Sequence, residues 1–227
     1  VNSESATLVH YVNRTGCYPV YGNTDVKYLS SGEEKLEELL KQLEQAKHFI
    51  FLEYFIVEEG VMWGKVLEIL ARNAKEGVEI RLLYDDFGSV AKIGREFARN
   101  LQRKGIRCYP FNPASPVLNL FMNHRDHRKI AVIDGKIGYT GGFNLADEYF
   151  DLVGTYGDWK DTGIRLEGEG VRSLTATFLE LWNLTVREKN DDSVYLNIDC
   201  RTEAEGYVQP FGDDPLGDER LAKKMCT

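Results

Sequence analysis

Leucines at 36, 39, 40 and 43 recur at helical intervals, so "SSGEEKLEELLKQLEQAK" predicts a helix with one apolar stripe. Ser30 stands three residues before Glu33, the spacing of a capping box, and marks where that helix should begin. "HFIFLEYFIV" follows as an unbroken apolar run rich in aromatic and β-branched residues, too short to span a bilayer, and predicts a buried strand. The pattern then alternates. "MWGKVLEILARNAKEG" predicts a helix ending at Gly77, "VEIRLLYDD" a strand, "VAKIGREFARNLQRKG" a helix ending at Gly105, and "IRCYPF" a strand. Glycine at each helix end tolerates the left-handed cap conformation. Further on, "WKDTGIRLEG" predicts a strand and "EGVRSLTATFLELWNLTVREK" a helix; from Asn190 the periodicity fades among Asp, Gly and Pro, and no internal repeat is visible. Strand and helix in alternation predict an α/β layered domain with parallel pairs.

Composition narrows the function classes. A chain of 227 residues, 43% hydrophobic and 28% charged, can bury a sizeable core and reads as a soluble globular protein. A formal charge of -8 argues against a general nucleic-acid binder and requires any anion site to be local. Cys17, Cys108, Cys200 and Cys226 lie far apart with no CxxC, so they read as reduced structural thiols, neither a zinc site nor a disulfide framework. No signal peptide and no run of ~18 apolar residues is visible.

The chemistry gathers in "NHRDHRKIAVIDGKIGYTGGFN". Asp134-Gly135 between two apolar runs signals a two-residue hairpin loop, which would set Ile133 opposite Lys136, Lys129 opposite Thr140, His127 opposite Gly142 and Arg125 opposite Asn144. Side chains two apart share a face. An imidazole, an ammonium and a carboxamide would then surround a bare spot at Gly142, where glycine leaves room and exposes backbone N–H groups to a phosphoryl group. His127 could attack phosphorus and form a covalent phosphoenzyme. Asp134 has the other parity and lies in the turn, so it is expected to stabilise the hairpin. Glu53 interrupts an otherwise apolar strand and is a candidate for the border of the site, because a charge there needs a partner or a polar pocket.

His127-x-Lys129, four residues, Asp134, six residues, then Gly141-Gly142-x-Asn144 resembles the HKD motif of the phospholipase D superfamily. "HRK", "VIDGKIGYTGGFNLADEY", "WKD", "FLELW", "VEIRLLYDDFGS" and "FIFLEYFI" narrow the likeness to the bacterial cardiolipin synthases, over about Asn13 to Gln209. The resemblance implies an α/β/α layer domain with a mixed, largely parallel β-sheet sandwiched between helices. It implies catalytic roles for the motif set His127, Lys129, Asp134 and Asn144: His127 as nucleophile or paired general acid, Lys129 and Asn144 as phosphate binders. Asp161, in "WKD", matches the carboxylate that hydrogen-bonds the other ring nitrogen of the histidine. Gly141, Gly142, Arg125 and Glu53 are the candidate substrate contacts, and no metal or other cofactor is implied.

Family members usually carry two membrane helices before this region and a second similar half with its own motif after it. Residues 1–205 therefore read as a first phospholipase D-like domain, and 206–227, "GYVQPFGDDPLGDERLAKKMCT", as a tail resembling the start of the second. The implied partners are an anionic phospholipid (phosphatidylglycerol), the membrane surface, and a second motif from the same longer protein or a second copy. The longer protein would act at the cytoplasmic face of the cell membrane. Two departures stand out: Gly142 replaces the serine or threonine of many superfamily members, and Asp126 stands where the synthases usually have asparagine. His124 is a cationic neighbour, and Leu118, Leu120, Phe121 and Met122 form a candidate apolar lip. A homodimeric phosphodiesterase or nuclease and a non-catalytic lipid- or phosphate-binding module are the alternatives.

Overall fold

β2 (Phe49–Tyr54) is buried at all six positions, which is why its sequence shows no alternation: both faces pack. In a computed structural model, which describes residues 3–113, 125–150, 160–188 and 191–212, this strand lies inside a seven-stranded sheet. The elements run α1 (Ser3–Gly16), β1 (Thr24–Leu29), α2 (Gly32–Gln45), β2, α3 (Val61–Lys75), β3 (Glu79–Asp85), α4 (Asp86–Ser89), α5 (Phe97–Gln102), β4 (Arg107–Phe111), β5 (Ile130–Ile133), β6 (Ile137–Gly141), a 3-10 turn (Asp147–Phe150), β7 (Gly163–Gly168), α6 (Val171–Val186) and α7 (Ser193–Leu196). The strand order is β1-β7-β6-β5-β2-β3-β4. One core lies between the sheet and α2 with α3, built from Leu36, Leu39, Leu52, Trp63 and Leu82 among others. The second lies between the sheet and α6, around Phe51, Val132, Leu166, Phe178 and Trp182.

The layered, mixed architecture matches expectation, but its balance does not. Only β2–β3 and β3–β4 are parallel, while β1–β7, β2–β5, β5–β6 and β6–β7 are antiparallel. Only β5–β6 is joined by a tight turn; β5 enters antiparallel to β2, and β7 returns to pair antiparallel with both β6 and β1. The capping residue of α2 is Ser31, whose Oγ accepts from Glu34 N–H at 3.2 Å, while Glu34 Oε2 accepts from Ser30 N–H at 3.1 Å. The expected box is displaced by one residue. The helix expected over 90–105 shrinks to α5, with the short α4 standing before it, because the run ahead of α5 bonds to the 58–59 loop: Glu59 N–H donates to Lys92 O at 3.1 Å and Gly94 N–H to Glu59 Oε2 at 2.8 Å. α1 and β1 carry no strong periodic signal and were not foreseen. Among the described residues no helix is long and apolar enough to cross a membrane.

The hairpin also differs by one residue. Ile130 pairs with Thr140 and Ile133 with Ile137, leaving Asp134, Gly135 and Lys136 as the loop. Asp134 (φ 53°) and Gly135 (φ 64°) turn left-handed and Lys136 N–H closes on Ile133 O at 3.0 Å, as a tight turn requires. The Lys136 carbonyl, however, accepts from Gly168 N–H at 3.0 Å, so β7 draws it out of the β5–β6 ladder. The predicted cross-strand partners of His127, Lys129 and Arg125 therefore do not hold.

Candidate active site

His127 and Lys129 lie in the irregular run just before β5. Its backbone is pinned from β3 and from within: Asp126 N–H donates to Asp85 Oδ2 at 3.0 Å, and Arg128 N–H to Asp126 Oδ1 at 3.2 Å. Alternation then sends residues 127 and 129 to the α2–α3 side of the sheet, and 126 and 128 to the α6 side. His127 is exposed, with its ring against Phe55 (centroids 4.6 Å apart). Lys129 is 4% exposed, and its Nζ lies 3.0 Å from His127 Nδ1, 2.5 Å from the His127 carbonyl and 5.4 Å from the centre of the Phe55 ring.

Asn144 reaches this end of the sheet through a turn, not through strand alternation. β6 stops at Gly141 (φ 144°), and the chain then runs beside 56–58, where Leu145 N–H donates to Ile56 O at 3.0 Å. Asn144 Oδ1 accepts from Ile56 N–H at 2.9 Å, which fixes the buried carboxamide next to Phe55 and leaves its NH2 to donate to the Tyr149 hydroxyl. Gly142 does not form the open notch that was expected. Its N–H is taken by Thr162 O at 3.0 Å, and a Cβ on it would fall 2.0 Å from Asp161 Oδ1. The missing side chain makes room for the Asp161 carboxylate, which here stands where a serine hydroxyl would otherwise lie. Gly141 is bare for backbone reasons: a Cβ there would fall 2.3 Å from Thr162 O.

These two glycines should respond differently to substitution. Gly141→Ala combines a left-handed backbone with a clash against backbone and should lose about 2–4 kcal/mol. Gly142→Ala meets only the end of a movable side chain, so it should cost less than about 1 kcal/mol while displacing Asp161. Because the Asp161 charge supports the Lys129 ammonium, Lys129 should then titrate below its value of about 8. Urea melts and Lys Nζ resonances followed against pH check both; equal stability losses would remove the distinction.

Burial is the main influence on Lys129, lowering its pKa to about 8 against the opposing charges of Asp126 and then Asp161. Burial also lowers His127, the Lys129 charge lowers it further, and Asp126 and Asp85 oppose both. Asp126 faces away, as parity requires, yet its charge reaches both site residues. At neutral pH Lys129 is an ammonium and can only donate, so Nδ1 of a neutral His127 is the acceptor and Nε2 bears the hydrogen. The expected Asp161 partnership with the ring is replaced here: Nδ1 faces Lys129, and Asp161 Oδ1 accepts from Thr162 N–H at 2.7 Å.

Of the remaining expectations, the hairpin role of Asp134 holds over the catalytic role the resemblance implied, while those for Arg125 and Glu53 change. Asp134 is remote from the imidazole; its carboxylate accepts from the N–H groups of Lys47, His48 and Phe49 at 2.8, 2.7 and 2.9 Å. Arg125 is held by Asn112 O at 3.1 Å and Asp85 Oδ1 at 3.5 Å and stacks on Phe87, so it braces the segment below the site. Glu53 pairs across the ladder with Ile130 and so faces the α6 side, away from Lys129. There it lies fully buried, with Arg128 Nε 2.7 Å from Oε1; burial, then Asp126, pushes its pKa well up. His124 and the proposed lip at 118, 120, 121 and 122 lie outside the described residues, as does Cys226. Two residues near the site escaped the sequence reading. Asp85 was visible only as the acid ending an apolar strand, and Lys35 as a cation inside the leucine stripe of α2.

The profile of the family described as "Cardiolipin synthase, PLD-like domain" matches residues 39–179, more than half of the sequence. The chain belongs to that family. Among its relatives, the cardiolipin synthase of Alkalihalophilus pseudofirmus is 35% identical over 220 residues, covering 96% of this chain and 44% of that protein. An uncharacterized protein of Streptococcus mutans is 42% identical over 224 residues, covering 99% of this chain and 49% of its own. The chain thus spans about half the length of the curated relatives it matches. Solved structures share the fold: phosphatidylserine synthase of Haemophilus influenzae (TM-score 0.61, 11% identity, 86% of this chain and 46% of that one) and Nuc, a phospholipase D family member from Salmonella typhimurium (TM-score 0.53, 16% identity, 70% and 95%). The cardiolipin synthase PLD-like match includes β2 to most of α6, and so every residue of the His127–Lys129 site discussed above except Lys35.

Proposed function

We propose that this domain supplies one half-site of a phosphatidyltransferase that joins two phosphatidylglycerol molecules into cardiolipin. The observation that carries the reading is the exposed His127 with the buried Lys129 cation 3.0 Å from its ring, on a chain of the cardiolipin synthase PLD-like family. A phosphodiester anion arriving at Lys129 competes with the imidazole for the ammonium, and draws the Asn144 NH2 from the Tyr149 hydroxyl. Once Nζ turns to the anion, Nδ1 is free to carry hydrogen toward Asp161, leaving Nε2 with its lone pair for attack.

His127 Nε2 then bonds to phosphorus as the bond to the glycerol oxygen breaks, and an acid on the opposite side gives that oxygen its proton. The hydroxyl of a second phosphatidylglycerol gives its proton back to the same group and attacks, so the N–P bond breaks and cardiolipin leaves. Nucleophile and acid must stand on opposite sides of phosphorus. A second motif is therefore needed, from the remaining half of a longer protein or from a second copy, at a membrane surface that presents the lipid.

Labelled phosphatidylglycerol, quenched in acid or base, tests this directly. An acid-labile, base-stable adduct at His127 is expected in the longer protein, and none in His127→Ala. Binding without an adduct would instead leave a phosphate-binding module. The isolated chain is expected to show no turnover as a monomer; turnover by a demonstrated monomer would overturn the two-motif requirement. The net charge of -8 counts against nuclease action in the same superfamily.

A further inference from the structure

Lys35 is 1% exposed and sits within the buried, leucine-rich stripe of α2, beside Gly32, Leu36 and Leu39. Its Nζ donates to the Phe143 carbonyl at 3.3 Å and lies 5.0 Å from the centre of the Phe143 ring and 5.8 Å from that of Tyr54. Burying a cation costs stability, and one carbonyl with two ring faces is thin compensation. Its place is nevertheless fixed. A Cβ on Gly32, one turn earlier, would fall 2.1 Å from Tyr149 O, so the start of α2 is pressed onto the 3-10 turn and cannot slide. Phe143 stands between Gly142, against which Asp161 rests, and Asn144, whose oxygen is tied to Ile56 N–H. The ammonium thus grips the middle of the turn that presents Asn144.

The neighbouring charges suggest why a cation was placed there. Asp161 favours the Lys35 ammonium and Lys129 disfavours it, while burial, the largest influence, lowers its pKa to about 7. Tyr54 of β2 is held neutral by burial, and Phe143 contributes a carbonyl. With Lys35 neutral, Lys129 and Asp161 cancel, and an entering monoanion would leave a buried excess of negative charge. With Lys35 protonated, the three groups carry one net positive charge, which a phosphodiester balances.

We propose that Lys35 is a positioning residue of the anion site: it holds the 141–144 turn through the Phe143 carbonyl and ring, and takes up a proton when an anion binds at Lys129. This deepens the functional reading above and rests on its anion subsite.

The test follows Lys Nζ and Asn side-chain resonances of this chain, with dimethyl phosphate, a phosphodiester monoanion that does not itself titrate near neutrality, as the phosphate probe. In the wild type, phosphate should raise the pH at which Lys35 Nζ loses its proton by about one unit, a tenfold change in its affinity for the proton. Lys35→Met should shift the Asn144 NH2 resonances and weaken phosphate binding about tenfold. It should also remove part of the proton uptake seen by calorimetry in two buffers at pH 7.5, while Lys35→Arg keeps the binding but not the uptake. A Lys35 titration indifferent to phosphate, or unaltered Asn144 and phosphate affinity in Lys35→Met, overturns the proposal. Should Lys35→Met fail to fold, the wild-type titration decides alone. Should the wild type bind no phosphate, the anion subsite itself fails, and unmoved Asn144 resonances in Lys35→Met would separately remove the positioning role.

Discussion

Asp134→Ala is expected to destabilise the chain by about 3–5 kcal/mol, although this aspartate is part of the motif and touches no substrate group. One carboxylate receives three successive backbone N–H groups, those of Lys47, His48 and Phe49, across 85 to 87 residues of sequence. Hydrogen bonds to a charged acceptor contribute roughly 1.5–3 kcal/mol each, less where solvent reaches them, and Lys47 and His48 are exposed. Alanine would also have to hold φ at 53°, which costs a further ~1 kcal/mol that asparagine largely avoids. Asp134→Asn should therefore lose about half as much. Against a typical total of about 5–15 kcal/mol the alanine change is severe. Urea unfolding midpoints measure it; a loss under about 1 kcal/mol would show that the turn does not anchor β2. Activity should fall only through the unfolded fraction, with Lys129 in the folded protein titrating as before.

That anchoring shows what alternation could and could not reveal. Parity correctly took Asp134 away from the face of His127 and Lys129, because two-residue spacing along one strand is a local fact. It placed their partners wrongly, because the β5–β6 register depends on Gly168, more than thirty residues on, capturing the Lys136 carbonyl. The six buried positions of β2 were readable as an unbroken apolar run; β1, a sheet-edge strand with both termini buried and its middle exposed, offered no such run. Gly142 is the sharpest case. Its lack of a side chain suggested an opening for substrate, yet the space is filled by Asp161, and no spacing rule announces that a carboxylate nineteen residues later will occupy it. Lys35 was readable as an oddity, four residues before Leu39 on a buried stripe, but what it faces is set by the Phe143 turn.

Glu53 and Asp126, both buried, form a charge cluster with Arg128 directly behind the site. Both acids lie on the α6 side with one guanidinium between them, and burial with mutual repulsion pushes Glu53 toward its protonated form. The Arg128 guanidinium offsets part of the charge the two acids bring to this side of the sheet. The remaining Asp126 charge still reaches through to Lys129 and His127, where it supports both cations.

Lys129→Met should have the largest effect on chemistry. Removing a single donor aimed at developing negative charge typically costs a factor of about 10²–10³ in rate, and here the donor is a full charge in a mostly buried position. In the longer protein, phosphatidyl transfer should fall by at least that factor. The isolated chain offers a second, activity-free reading. Burial and then the Lys129 charge lower the His127 pKa, so deleting the charge should raise it, visible in the Hε1 resonance followed against pH. Lys129→Arg separates charge from titration. The wild-type ammonium, with a pKa of about 8, is present below that pH and lost as pH rises through it, so anion binding should weaken above pH 8. A guanidinium does not titrate there, so the arginine variant should keep its affinity into the alkaline range even if its fork fits less well. A His127 titration unmoved by Lys129→Met would mean that the ammonium does not rest on the imidazole in solution, and the exchange of partners on anion entry would lose its starting point.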